Sequence, residues 1–263
     1  MNKVLMLLPA LVLFAGCVIP QSWNPPDSAR FRDAEAKYLA GDFRTAADAF
    51  AAIADTPDFN ERAIARYWEG NARLEIGDFA AAEEAFTEAM AEKPPEFFKG
   101  SALLGMGRAC IGLQRFADAA AHFSRAISEA PGALRGDFAH LLLGTACLRS
   151  GRWDEGVRNL ETAAALGKDS DSAAEANASL AFAEVRKFTI QTGAYSVKTL
   201  ADSEAERLKA AGLDAWIHTL PGLEGKDPMY AVCVGKFDGW PAAVEEASRL
   251  RGRGLILDSA VKP

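Results

Sequence analysis

Apolar residues recur along the chain with two different periods, and the change of period divides it. Over residues 29–167 they return at offsets of three and four, the mark of a buried helix face. A turn followed by an aromatic residue punctuates this stretch: Gly41-Asp42-Phe43, Gly77-Asp78-Phe79, Gln114-Arg115-Phe116 and Gly151-Arg152-Trp153, at steps of 36, 37 and 37 residues. Three residues after each aromatic stands a small residue: Ala46, Ala82, Ala119 or Gly156. Four further on stands a large apolar one: Phe50, Phe86, Phe123 or Leu160. Ile53, Ala89, Ala126 and Ala163 extend the same face. Upstream, Ala34, Gly70, Gly107 and Gly144 put a small residue on the first helix of each pair, where two helices then approach closely. Pro94 and Pro131 end second helices, and Pro57 takes that place in the first pair. The alanine-rich stretch 172–187 reads as one more helix, closing the array over its last apolar face.

From Phe188 onward the period falls to two, and one pattern occurs twice. Ile190-Gln191-Thr192-Gly193-Ala194-Tyr195 and Val232-Cys233-Val234-Gly235-Lys236-Phe237 are each a short strand, a glycine, one residue and an aromatic. An amphipathic helix follows each, at about 200–211 and about 241–250. A second glycine, Gly212 or Gly254, comes 19 residues after the first and opens another apolar strand, 213–220 or 255–257. The expected order is βαββαβ. The helix faces are Ala201, Ala205 and Leu208, then Val244, Ala247 and Leu250. Alternation turns Phe188, Ile190, Thr192, Ala215, Ile217, Tyr230, Val232 and Val234 toward the helices. It sends Gln191, Gly193, Trp216, His218, Ala231, Cys233 and Gly235 to the opposite face.

That second face has the chemistry of a sugar site. An indole such as Trp216 stacks on the C–H face of a sugar ring. Gln191 offers both donors and acceptors to hydroxyls and acetamides. His218 stands two residues beyond Trp216 on the same strand.

The 263 residues are enough for two domains, and the net charge of −7 argues against nucleic acid as the main partner. Of the four cysteines, Cys110, Cys147 and Cys233 have no metal-ligand spacing and read as small buried hydrophobes. Met1-Asn2-Lys3 followed by apolar residues 4–14 is a signal-peptide core, far short of the roughly 20 residues that span a bilayer. No phosphate loop, nucleophile elbow or H-E-x-x-H motif is present, and no cofactor or metal ligand set is singled out.

Three resemblances follow from these residues. Leu13-Phe14-Ala15-Gly16-Cys17 resembles the bacterial lipobox, which implies lipidation of Cys17. Val18, where such lipoproteins carry aspartate for inner-membrane retention, implies the periplasmic face of the outer membrane. The repeating stretch resembles tetratricopeptide (TPR) repeats, four of them, which implies an all-α solenoid. Carrying that pattern across lines its inner surface with Tyr67, Asn71 and Leu74, then Leu104, Arg108 and Ile111, then Leu141, Thr145 and Leu148. Only Asn71 fits the Lys, Asn and Arg set of carboxylate-gripping chaperone sites, so the expected ligand is an extended or helical protein segment in a mostly apolar groove.

The duplicated βαβ is similar to the SPOR (sporulation-related repeat) domain, a small α+β, ferredoxin-like fold. That resemblance implies binding of peptidoglycan glycan strands, preferentially stripped of stem peptides. It implies a glycan contact at Gln191, and with the sheet positions around it the expected glycan-binding set is Gln191, Gly193, Tyr195, Trp216, His218, Ala231 and Cys233. Ala194 and Ala231 depart from the serine and polar residue frequent in the family. The expected organisation is a signal segment at 1–17, a tether at 18–29, a TPR array at 30–187 and a SPOR domain at 188–263. The expected role is a non-catalytic adaptor: glycan on the sheet, a cell-wall or division protein in the groove, the membrane through Cys17. A tether without a protein client and a cell-wall hydrolase are the alternatives.

Overall fold

The computed structural model describes residues 28–56, 61–168, 170–220, 227–256 and 259–263. The signal segment, Cys17, the tether up to residue 27, Pro57 and most of the loop between Pro221 and Pro228 lie outside the described residues. Two compact units part between Ala146 and Cys147.

The first unit holds α1 (Ala29–Leu39), α2 (Phe43–Ala54), α3 (Arg62–Glu75), α4 (Phe79–Ala91), α5 (Glu96–Gly112), α6 (Phe116–Glu129) and most of α7 (Gly136–Arg149). Its core contains the predicted stripe of Phe50, Phe86 and Phe123 and adds Phe31, Tyr38 and Trp68 to it. Phe31, Phe50, Phe86 and Phe123 are fully buried, and Trp68 stacks on Phe50 with centroids 5.8 Å apart. The small residues of the first helices are there because the second-helix aromatics leave no space. A Cβ on Gly70 would stand 2.8 Å from the Phe86 ring, and one on Gly107 would stand 2.2 Å from Phe123.

The turn landmarks share one backbone device. Gly41, Gly77 and Gly151 have φ of 82°, 75° and 83°, and each closes its helix in a Schellman cap. Gln114 holds the same place with φ 58°, a conformation that strains a residue with a Cβ.

The second unit continues from the end of α7 into α8 (Trp153–Leu166) and α9 (Asp171–Ala183), and then the sheet module. The module runs β1 (Phe188–Tyr195), α10 (Lys198–Ala210), β2 (Ala215–Leu220), β3 (Met229–Phe237), α11 (Trp240–Gly252) and β4 (Ala260–Lys262). The sheet order is β2-β3-β1-β4, antiparallel throughout. Ile190, Ala215, Val232 and Val234 pack against Ala201, Ala205 and Leu208 of α10 and Ala247 and Leu250 of α11. Ala243, rather than the expected Val244, completes the buried face of α11.

Three local features differ from the pattern read along the sequence. Gly212 (φ 81°) and Gly254 (φ 67°) close α10 and α11 instead of opening strands. Leu213 and Leu255 return hydrogen bonds to Leu208 and Leu250 and pack on the core. The fourth strand therefore lies at 260–262, beyond the expected 255–257, and Ile256 is a buried residue of the approach to it. The Gly-x-aromatic motifs coincide with β-bulges, where the β1–β3 register shifts between Phe188 and Ile190 and again between Gln191 and Gly193. At each glycine the aromatic two residues on folds back over the bare backbone. A Cβ would meet Tyr195 at 3.0 Å or Phe237 at 2.7 Å.

The packing at Gly107 predicts that Gly107→Ala lowers stability by about 1–3 kcal/mol, an overpacking cost. Gln114→Gly is expected to raise it by about 0.5–1 kcal/mol through relief of left-handed strain. Thermal melts of both variants check this, and equal midpoints would contradict it.

Candidate functional site

The bulges decide which side chains reach the sheet face away from α10 and α11. Gln191 pairs with Cys233, and Cys233 with Trp216, which makes one row across β1, β3 and β2. Thr192 is the extra residue of its bulge, so Gly193 falls opposite Val232 on the helix side. Ala194, Ala231 and His218 form the next outward row. Tyr195 then points to the helices and packs against their core, where burial raises its phenol pKa. Gly193 and Tyr195 are thus set apart from the other five expected glycan contacts, because one inserted residue reverses the alternation after Gln191.

The five remaining residues do meet on one face. The Trp216 indole N–H donates to the Gly235 carbonyl at 3.4 Å, and the Lys236 ammonium lies 5.1 Å from the indole centroid. The Thr189 hydroxyl donates to the same carbonyl at 2.9 Å, which ties β1 to the bulge. β4 adds a residue that the shifted strand boundary hid. Lys262 stands opposite Thr189, and Ala260 opposite Gln191, on this same face. A cation beside a tryptophan and an amide suits an acidic or acetamido sugar.

Half of this face is covered by the chain itself. The last turn of α9 lies across β2 and β3, where Phe182 (2% exposed) packs with the fully buried Ala231 and Cys233 and with Trp216 and Leu220. The Phe182 ring is 4.8 Å from the His218 ring. His218 Nε2 lies 2.6 Å from the Ala181 carbonyl oxygen. A carbonyl only accepts, so His218 carries a proton on Nε2. The half over β1 and β4 remains open, with Gln191 and Lys262 half-buried and Ala194 and Ala260 exposed.

The expected protein groove is mostly packed shut. Tyr67, Asn71, Leu74, Leu104 and Leu141 are buried in the first unit, and Leu148 is buried in the second. The Tyr67 ring lies 6.0 Å from Phe86 and 5.0 Å from Phe98, and the Asn71 amide donates to the Tyr67 carbonyl. These positions join one repeat to the next, and inter-repeat packing consumes their apolar surface. Arg108, Ile111 and Thr145 stay half-buried, with Arg108 3.7 Å from Glu75. The partly open wall is more polar than the expected groove.

Glu83, Cys110 and His122 bring ligand-type atoms within 4.8 Å of one another. The Arg115 guanidinium is 2.7 Å from Glu83 and also grips Asp118, so a fixed cation already holds that carboxylate. The Cys110 thiol donates to Glu83, and burial beside that carboxylate pushes its pKa up to about 12. Within the cluster, Cys110 and Glu83 share a hydrogen bond, while His122 Nδ1 is buried without a hydrogen-bond partner among the described residues. Burial likewise pushes Cys147 up to about 11 and Cys233 up to about 12.

The described residues thus form a helical repeat array followed by a duplicated βαβ sheet. Residues 184–262 match the SPOR domain family, and residues 31–97 match a tetratricopeptide repeat family. No curated protein matches the chain. Among solved structures, a MamA RS-1 ArsTM double mutant is similar with a TM-score of 0.52 at 19% identity, over 60% of this chain and 85% of that one. MamA 41-end from Desulfovibrio magneticus RS-1 gives 0.51 at 18%, over 60% and 86%. The nearly identical TPR-like repeats of a Podosopora anserina putative kinesin light chain, in a variant form, give 0.50 at 14%, over 60% and 84%. At these identities the likeness establishes the fold alone. The chain carries TPR repeats followed by a C-terminal SPOR domain. The first points to protein binding and the second to peptidoglycan binding, and both are non-catalytic binding modules.

Burial predicts inert thiols. In the full chain with Cys17→Ser, a thiol reagent at pH 8 is expected to find no fast-reacting group until the protein is denatured, when Cys110, Cys147 and Cys233 all react. A rapid native-state equivalent would contradict the packing.

Proposed function

We propose that the protein is a peptidoglycan-binding adaptor. Its SPOR sheet takes a glycan strand stripped of stem peptides, and its TPR array holds a protein of cell-wall remodelling or division. The SPOR match carries this reading, and the row Gln191, Cys233 and Trp216 with Lys262 beside it supplies the chemistry. Gln191 hydrogen-bonds sugar hydroxyls or acetamides, Trp216 stacks on a ring, and Lys262 meets a lactyl carboxylate freed of its peptide. Lipid on Cys17 would hold the chain at the periplasmic face of the outer membrane. The stretch 18–28 before α1 reaches at most roughly 37 Å at full extension, so the binding modules would work close to that membrane.

Burial of Tyr67, Leu104 and Leu141 favours a second reading. With its apolar wall used for packing, the array serves as a spacer, and the protein ties membrane to cell wall without a client.

Pelleting of the full chain (Cys17→Ser) with sacculi, intact or stripped by an amidase, tests the main reading. Stripping is expected to increase pelleting, and Gln191→Ala with Lys262→Ala is expected to lower it at least about tenfold, the loss of one or two hydrogen bonds to charged or polar partners. Equal pelleting of intact and stripped sacculi, insensitive to both substitutions, would refute it.

A further inference from the structure

We propose that the last turn of α9 is an intramolecular occupant of the glycan face, and that Phe182 leaves its seat when a glycan strand binds. This rests on the glycan reading above and concerns the regulation of that same site.

The seat is a shallow trough. Ala231 and Cys233 floor it, both fully buried, and Trp216 and Leu220 wall it. Small side chains under a flat ring with an indole at the side make a slot for one ring, and here the ring is Phe182. Trp216 and His218 are the two outward side chains of β2 with the chemistry to meet a sugar, and α9 engages both. It packs on the first and draws the Nε2 proton of the second to the Ala181 carbonyl. The open half of the face, with Gln191 and Lys262, leads directly into this covered half along the row through Cys233. A strand several sugars long that starts at Gln191 and continues along that row runs into Phe182.

The cover is also built to come away. It is a satellite of three buried residues, whereas ten form the core between the sheet and its own helices. Among the described residues, the polar tie from this turn to the sheet is the hydrogen bond from His218. The acceptor, the Ala181 carbonyl, belongs to the final turn of a helix, whose carbonyls lack partners further along the helix. Fraying that turn exposes few groups, so the opening belongs to the low-cost end of local unfolding. Once open, His218 Nε2–H and the Trp216 face are released together toward the ligand. Apparent affinity is then the intrinsic affinity multiplied by the fraction of molecules with Phe182 out.

The experiment compares wild type and Phe182→Ala in the full chain carrying Cys17→Ser. Cys233 lies under Phe182, so its alkylation, read by peptide mapping, reports the opening. Pelleting with amidase-stripped sacculi reports binding. Hydrogen exchange at 178–185 in wild type, with and without soluble stripped glycan, reports displacement. Phe182→Ala is expected to speed Cys233 alkylation and to bind stripped sacculi at least about fivefold tighter. Exchange at 178–185 is expected to accelerate when glycan binds wild type. Alkylation that speeds up without a gain in binding overturns the inference and leaves the glycan reading intact. Exchange that slows or stays constant on binding overturns it as well, and decides alone if the variant fails to fold. Failure of both chains to pellet overturns the glycan reading and this inference with it.

Discussion

Phe188 sits between two tryptophans, and the second unit is arranged around that contact. Its ring is 5.0 Å from Trp153 at the start of α8 and 5.7 Å from Trp240 at the start of α11, and it is 1% exposed. The Arg149 guanidinium lies 4.1 Å over the Trp240 ring and closes the stack. Aromatic pairs contribute about 0.5–1.5 kcal/mol each beyond their buried area, and a desolvated cation–π contact about 2. The ion pairs nearby, Arg186 with Asp154 and Lys187 with Asp238, are exposed, and pairs of that kind contribute about 0–1 kcal/mol. The aromatic stack is therefore the interaction that fixes the sheet module to the helices before it. With only residues 184–187 between α9 and β1, fixing Phe188 also keeps the end of α9 tethered beside the sheet. Arg186, at φ 51°, makes the reversal in that short link. The covered half of the sheet follows from this constraint: a chain turned so sharply and pinned at Phe188 lays its preceding helix turn across the sheet.

The sequence announced the repeat array through close packing. Where a helix must pass within a methyl group of an aromatic ring, only glycine or alanine serves, and Gly70 and Gly107 recur at the spacing of Phe86 and Phe123. The turn glycines were equally legible because a Schellman cap needs a left-handed residue. That logic also explains a misplacement. Gly212 and Gly254 carry the same signal as Gly41 and Gly77, and read by their backbone they end helices. Read by the apolar residues after them, they point to strand starts, which set β4 too early and hid Lys262.

The candidate site was legible only in part. Alternation placed Gln191, Trp216, His218, Ala231 and Cys233 on one face, as the register has them. It failed at Gly193 and Tyr195 because a bulge adds one residue to β1, and period-two reasoning makes no allowance for an insertion. The glycine and its aromatic in fact signalled the bulge, since Tyr195 folds over Gly193 in the space a Cβ would need. The groove residues failed for another reason. Tyr67, Leu104 and Leu141 do lie on first helices, but a repeat also uses those helices to hold its neighbour, and one sequence carries both demands in the same apolar letters. Phe182 was hidden by its element: an aromatic near the end of a closing helix reads as that helix's own core, and nothing local says that it lies on a sheet.

A sheet face with an apolar dent is a liability when nothing fills it. Alanine and cysteine at Ala231 and Cys233 leave a dent beside an indole, and an exposed apolar dent favours association with other chains. Filling it with Phe182 removes the hazard; on the proposed glycan reading it does so at the expense of affinity, because the ligand would compete with a tethered ring. The open half of the face changes that balance. Gln191 and Lys262 remain half-exposed, so on that reading a strand would engage them first, and the free energy of that contact would oppose the small cluster under α9. A single sugar lacks the reach to do both. Under the proposed glycan reading, masking one half of the face while leaving the other open would favour long glycan strands over fragments, a preference that neither half would have alone.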